Sequence, residues 1–210
     1  MAFDTYMTFI DPNNQPTPGE SQMQFDSNLE SPLGKDLQQG KVFEIDDFSF
    51  DIEQVLNIGS QSSGAGAGKV TFNPFQITRK SDRLSPKLFM MCCAGQHFKI
   101  VSLYLRRSGG SATGVTGTGG VTSASQTSGT TFLRFDFALV AVKTISWSGS
   151  DGDESCKEEV QFEYGALQVR YVQQGADGKV MSGGDAQPVG SWNRVYNNNV
   201  FDISGGIKAS

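Results

Sequence analysis

Apolar and polar side chains alternate along most of this chain with a period of two, the signature of half-buried β-strands. Four stretches carry it plainly: "KVFEIDDFSFDI" (41–52), "KVTFNPFQITRK" (69–80), "HFKIVSLYL" (97–105) and "VQFEYGALQVRYV" (160–172). A fifth, "TFLRFDFALVAVKTISW" (131–147), is longer. Its odd positions Leu133, Phe135, Phe137, Leu139, Ala141, Ile145 and Trp147 predict one continuous apolar face that Lys143 alone interrupts. "TYMTFI" (5–10) reads as a strand at the front, and "GSWNRVYNNN" (190–199) holds a candidate for the last.

In three of these strands the apolar parity changes partway. Phe43 and Ile45 are odd but Phe48, Phe50 and Ile52 even; Val70 and Phe72 are even but Phe75 and Ile77 odd; Phe162 and Tyr164 are even but Leu167, Val169 and Tyr171 odd. A strand cannot change faces without a bulge or bend, and the changes fall at Asp46-Asp47, Asn73-Pro74 and Gly165. The expected fold is therefore mostly β, its bent strands closing two packed antiparallel sheets into a small β-barrel or an orthogonal sandwich.

One segment has helical spacing instead. In "SPKLFMMCCAGQ", Ser85 is placed to cap a short helix over about residues 86–94, Pro86 fits its first turn, and Gly95 suits a left-handed residue just past its end. Leu88, Met91 and Cys92 share one face, which predicts that the helix covers an edge or opening of the barrel.

Three stretches lack either period and read as irregular additions to a single domain spanning 1–210. Residues 11–40 contain four of the seven prolines, 108–130 are almost entirely Ser, Thr and Gly, and the tail from about 197 to 210 is polar. At 210 residues the chain can bury roughly 70 % of its unfolded surface in one domain.

Charge narrows the function classes. Seventeen basic residues against 22 acidic, a net charge of -5, argue against a nucleic-acid binder, which carries a basic face. No apolar run approaches the roughly 18 residues that cross a bilayer, so direct membrane insertion is not expected. "MAFDTYMTF" places an acid where a cleavable signal peptide has basic residues, so cytoplasmic synthesis is expected, with any export by another route. Three cysteines, two of them the adjacent Cys92 and Cys93, do not make a disulfide framework.

The candidate chemistry is thin. "SSGAGAGKVTF" (62–72) begins like a phosphate loop, but that pattern needs glycine where Ser63 stands and a hydroxyl where Val70 stands, and this run leads into a strand rather than a helix. His97, the only histidine, follows Cys93 by four residues across Gly95, which ends the helix that could pair them. Asp46-Asp47, at a predicted bulge, and Asp151, Asp153 and Glu154 in the turn "SGSDGDES" are the carboxylates that could bind calcium or act on a glycoside. The turn lacks calcium-loop spacing, however, a paired acid and base is set by distances the sequence does not give, and acidic turns are ordinarily solvated hairpin ends. No catalytic, cofactor or metal site is expected.

The order of the pieces is more specific than any of them. "MAFDTYMTF", "FEIDDFSFDI", a Gly/Ser loop into "GAGKVTFNPFQITRKSD", then "SPKLFMMCCAGQHF", a strand ending "LYLRR", and "VQFEYGALQVRYVQQGADGKV" followed by "GSWN" resemble the haemolysin co-regulated protein family, Hcp. The resemblance covers roughly residues 3–10 and 41–195. It implies a β-barrel with one helix, assembled as a homo-hexameric ring whose rings stack into the inner tube of a type VI secretion system. That tube is driven out by a contractile sheath, carries a spike at its tip and small effectors inside, and is not an enzyme. It also implies an extended loop that meets neighbouring subunits, here about Val55 to Gly68, with Val55, Leu56, Asn57, Ile58, Ser62, Ser63, Gly64, Gly66 and Gly68 as interface residues. Two other readings remain open: a monomeric carbohydrate-binding sandwich stacking sugars on Trp147, Trp192 or Tyr171, and a phage-like tail-tube protein.

Overall fold

The computed structural model describes residues 3–26, 30–56, 67–107, 129–175, 180–181 and 186–202. Among them run ten strands and one helix: β1 (Phe3–Ile10), β2 (Phe43–Glu44), β3 (Asp47–Ser49), β4 (Ile52–Leu56), β5 (Ala67–Phe72), β6 (Phe75–Lys80), α1 (Ser85–Ala94), β7 (His97–Arg107), β8 (Thr130–Ser148), β9 (Lys157–Tyr171) and β10 (Val189–Asn193). The fold is mostly β, as the alternation requires.

The main sheet is antiparallel with the order β2-β1-β7-β8-β9-β6-β3, and β10 pairs with the part of β9 that β6 leaves free. Its two end strands are neighbours in sequence. Ile45 donates its backbone N–H to Thr5 of β1 (3.1 Å), and Asp46 donates to Thr78 of β6 (2.9 Å). One short stretch therefore stitches both edges together and closes the wall into a barrel. The parity change at Asp46 is that crossing point, where the chain leaves β1 for β6.

The change at Asn73-Pro74 separates β5 from β6. Gly165 differs: β9 runs through it unbroken, yet its buried face passes from Val160, Phe162 and Tyr164 to Leu167. β8 makes the matching change. Its odd apolar face does not continue, because Leu139 sits at φ 52° and turns Val140 and Val142 inward instead, leaving Leu139 and Ala141 half-buried. A register shift between Val142 and Thr144 restores the odd face at Ile145 and turns Lys143 out to solvent. β7 follows, burying Phe98 and then Val101 and Leu103. A crease thus crosses three adjacent strands near Lys99, Leu139 and Gly165.

Phenylalanines fill the interior. Phe75 stacks on Phe137 at 4.5 Å between ring centres, and Phe162, Phe9 and Phe98 extend the cluster. Helix α1 lies against this core through Leu88 and Met91, with Cys92 packed at its margin. Gly95 closes it at φ 63°, as expected. Ser85 is not its cap: Leu84 holds that position, and Asp82 Oδ1 accepts the Leu84 N–H at 2.7 Å. The Ser85 hydroxyl instead receives the Asp82 N–H and Arg79 Nη2, joining a buried arginine to the helix start.

The stretch 11–40 is irregular but packed. Thr17 donates its N–H to Phe9 of β1, and Lys87 of α1 reaches the Thr17 hydroxyl at 2.9 Å. Leu33 and Leu37 are buried; Leu37 and Val42 form a second small core with Tyr6 and Tyr104 on the side of the sheet away from the main one. This strap is fastened by charge. Glu30 is 6 % exposed and accepts from Arg106 Nε (2.9 Å) and from the backbone N–H groups of Ser31 and Thr131. Asp36 accepts from Tyr104 Oη (2.9 Å) and Arg134 Nη1 (2.8 Å).

Candidate functional site

Outside the closed barrel wall stands one further element. β4 and β5 form a separate two-stranded sheet, in which Ile52 pairs with Phe72, Gln54 with Val70 and Leu56 with Ala67. This hairpin carries the ends of the connector singled out in the sequence. Val55 and Leu56 belong to β4 and Gly68 to β5, while Asn57, Ile58, Ser62, Ser63, Gly64 and Gly66 lie outside the described residues.

Between the hairpin and the β9–β10 pair runs a trough of about 420 Å³, lined by Ile52, Val70, Phe72, Leu167, Val169 and Trp192. Beside it opens a cleft of about 1050 Å³ that shares Gln54, Val70, Phe72 and Trp192 and adds His97, Glu163, Tyr164 and Arg194. The crease described above makes its floor, with Leu139, Ala141 and Gly165 in the lining.

Arg194, Val195 and Asn197, just after β10, line the cleft's far side, and Asn193 at the end of β10 holds their turn in place. Asn193 is fully buried; its Oδ1 accepts the backbone N–H groups of Val195 (2.9 Å) and Tyr196 (3.0 Å), and its Nδ2 donates to the Asp202 carbonyl. Arg194 donates its N–H to Gly165 O at 2.8 Å and Nη1 to Tyr164 O at 2.7 Å. Its guanidinium lies over the rings of Phe72 (5.4 Å) and Tyr164 (5.2 Å), tying the hairpin to the barrel. Held in this way, Val195 and Tyr196 point their apolar groups to solvent, 52 % and 43 % exposed. Tyr164 itself is 4 % exposed, and its Oη has no hydrogen-bond partner among the described residues. Burial, with Glu163 and Asp51 adding to it and Arg194 opposing, pushes its pKa up to about 12, so the hydroxyl is a donor at neutral pH.

The remaining candidates are scattered. Cys93 is exposed on α1, Cys156 is exposed ahead of β9, and His97 opens β7 beyond the left-handed Gly95. Asp46 and Asp47 are exposed at the barrel's seam, and Asp153 accepts the Ser150 N–H inside a turn. Among the described residues no group of three or more His, Cys, Asp or Glu side chains is placed to share a metal ion. Of the aromatic platforms, Trp192 lines the cleft, Trp147 donates Nε1 to Glu158 at 2.7 Å and leans on Phe89, and Tyr171 is half-buried at the end of β9.

Sequence pattern alone did not expose Arg194 or the orphaned Tyr164 hydroxyl. The one available signal was the asparagine-rich "SWNRVYNNN", whose side-chain amides favour tight turns over strand.

Comparison with known proteins places this arrangement. Residues 34–171 match the family profile "Type VI secretion system effector, Hcp". Protein hcp1 of Pseudomonas aeruginosa is 30 % identical over 110 residues, which cover 52 % of this chain and 58 % of that relative, so the chain spans a little over half of its length in the match. Among solved structures, one described as a type six secretion system protein aligns over 95 % of this chain and all of its own, at TM-score 0.69 and 22 % identity. Hcp1 from Salmonella typhimurium aligns over 95 % of this chain and all of its own (TM-score 0.55, 18 % identity), and Hcp1 from E. coli EAEC 042 over 92 % and 99 % (TM-score 0.57, 14 % identity).

Proposed function

This chain belongs to the Hcp family of type VI secretion proteins, and on that premise we propose that it is a structural subunit of the secretion system's inner tube. The whole chain acts as one barrel domain, without catalysis or cofactor. Six copies close a ring, rings stack into a tube inside a contractile sheath, and contraction expels the tube with its spike and small effectors. The protein is then cytoplasmic while assembled and extracellular, or inside a target cell, after firing.

The observation that carries this reading is the family match across 34–171, which runs from the strap through the end of β9. The geometry is consistent with it. A ring needs two different complementary surfaces on each copy, and stacking needs two more. A closed wall with a hairpin standing off it supplies contact surface without opening the core. The connector from Val55 to Gly68 is the subunit contact in this reading, with Asn57, Ile58, Ser62, Ser63, Gly64 and Gly66 among its residues.

Electron microscopy of the purified protein, with its solution mass, tests this directly. Six-fold rings with an open centre are expected; a stable monomer at high concentration that binds a glycan overturns the reading. Deleting Ser62–Gly66 is expected to weaken ring or tube formation while far-UV circular dichroism and the melting transition stay those of the full chain.

A further inference from the structure

The strap on the outer face of the sheet contains a loop, 19–40, described at 19–26 and 30–40, whose backbone is bonded to itself rather than to the barrel. Its neck is closed: Gly19 donates its N–H to Gly40 O at 2.8 Å, and Gly40 donates to Ser21 O at 3.3 Å. Gly40 sits at φ 71° with open space where a Cβ would stand, so the turn of the neck is set by glycine and not by packing. Further along, Glu30 donates to Asp26, Gly34 to Ser31 and Leu37 to Gly34. Among the described residues no backbone-to-backbone hydrogen bond joins 19–40 to a barrel strand, and β1, β7, β8 and β9 pair with one another without it. The family match begins at residue 34, so Glu20, Asp26 and Glu30 stand outside the shared profile.

Side chains that read carboxylates hold this loop down. Tyr6, Tyr104, Arg134 and Arg170 stand in one row across β1, β7, β8 and β9, each in register with the next. Asp36 accepts from the Tyr104 hydroxyl and the Arg134 guanidinium of that row, and Glu30 accepts from Arg106. Both arginines are held by rings: Arg134 lies over Tyr104 at 4.5 Å, and Arg106 over Phe25 of the loop at 4.9 Å. The buried charges of the face are Arg106 and Arg134 against Asp136, with Arg170 half-buried beside them and Asp4 and Glu44 exposed at the margin. The loop brings four carboxylates, Glu20, Asp26, Glu30 and Asp36, against the single Lys35. Planar guanidinium groups beside a phenol form a set suited to carboxylates, and here the chain supplies the ligand itself.

We propose that Tyr104, Arg106, Arg134 and Arg170 form a binding site for an acidic peptide segment of another protein, and that the loop is its built-in occupant, which lifts at the Gly19–Gly40 neck when the partner binds. Glu30 and Asp36 mark the spacing such a segment needs, two carboxylates six residues apart. A peptide fits better than a free anion, because Arg134 Nη1 also donates to the Leu33 carbonyl at 2.9 Å and Leu37 packs with Tyr6 and Tyr104. Those contacts need a backbone and an apolar side chain between the two charges. The covered state is the resting one, since a tethered occupant acts at an effective concentration on the order of millimolar. The site lies on the face away from the main core and does not depend on ring formation.

The probe is a fluorescein-labelled peptide of residues 19–40, offered to the full chain and to a full-length variant carrying Glu30→Gln and Asp36→Asn, whose own occupant is weakened. By fluorescence anisotropy the peptide should bind the double variant at least ten-fold more tightly than the unmodified chain. The same peptide carrying both substitutions should bind the double variant at least ten-fold more weakly than the acidic one. No binding to a folded double variant, equal affinity for the two chains or equal affinity of the two peptides overturns the site. Displacement of the peptide by the oligonucleotide (dT)20 at equal concentration assigns the arginines to phosphates and overturns it too. Native-state hydrogen exchange on the unmodified chain covers the case in which the double variant fails to fold. The Thr131 amide, which donates to Glu30, should exchange at least ten-fold faster than the amides at the middle of β7 and β8. Exchange of Thr131 only together with the whole barrel means that the loop does not lift, and the proposal fails.

Discussion

Leu139 of β8, at φ 52°, faces Gly165 of β9 between two intact register pairs, Ala138 with Ala166 and Val140 with Tyr164. A leucine pays about 1–2 kcal/mol to sit in the left-handed region, and it does so where both strands exchange their buried faces. Replacement by glycine should remove that strain at the cost of chain entropy, leaving stability within about 1 kcal/mol of the parent. Leu139→Val, β-branched in the same conformation, should lose about 2 kcal/mol. Urea denaturation of the two variants side by side checks the order.

Asp136 gathers four donors on the sheet face beneath the strap. Ser102 Oγ and Arg134 Nε reach its Oδ1 at 2.6 and 2.7 Å, and Arg170 Nε and Nη2 reach its Oδ2 at 3.0 and 2.6 Å. Asp136→Ala removes the carboxylate that two guanidinium groups share, leaving Arg134, in a side chain only 11 % exposed, with Asp36 as its remaining carboxylate partner. A loss of about 3 kcal/mol is expected, measured as a lower denaturation midpoint with an unchanged slope.

The strap should come loose when Glu30 loses its charge. Glu30→Ala strips Arg106 of a partner 2.9 Å away and leaves the Thr131 N–H unbonded, so limited proteolysis within 11–42 should speed up at least ten-fold while the barrel core stays resistant. Gly19→Ala should act on the same segment by a different route, since a Cβ there would press into the carbonyl oxygen of Val42. Equal protease resistance in all three chains would mean the strap is not held as described.

Alkaline pH should destabilise the barrel in a defined window. Burial pushes Tyr6 up to about 12, with Asp4 and Glu44 adding to it and Arg106 opposing, and pushes Tyr164 up to about 12. An unfolded phenol ionises near pH 10, so each tyrosine's contribution is whole below pH 10 and is lost as pH rises through about 12. A rise from about 10 to about 12 corresponds to at most about 2–3 kcal/mol per tyrosine. Chemical denaturation at pH 9 and pH 11.5 should show the fall, and Tyr6→Phe should make it shallower.

Much of the barrel was legible in the sequence because alternation and its breaks have local causes. The split at Asn73-Pro74, the crossing at Asp46 and the left-handed Gly95 each follow from a residue's own backbone preference. Leu139 hid its role, since nothing in a leucine announces positive φ; only its partner Gly165 hinted at the crease. The strap's fastening was hidden for another reason. Arg134 and Asp136 fall on the face of β8 opposite Phe135 and Phe137, so a polar outer face was readable, but Glu30 and Asp36 meet that face from about a hundred residues away. Pattern shows that a charge lacks a partner nearby, not where the partner is. The trough was hidden likewise, because it joins β4, β9 and β10, which lie far apart in sequence.

The seam at Ile45 and Asp46 also has a bearing on time. β2 and β3 are two and three residues long, too short to hold a place by themselves, and each pairs with a strand that must already be present. Loop closure of this kind is slow to be rewarded and comes after the local pairings. Shutting the wall is therefore expected to be the late event in this chain's folding, once β1 and β6 are in place to receive those few residues.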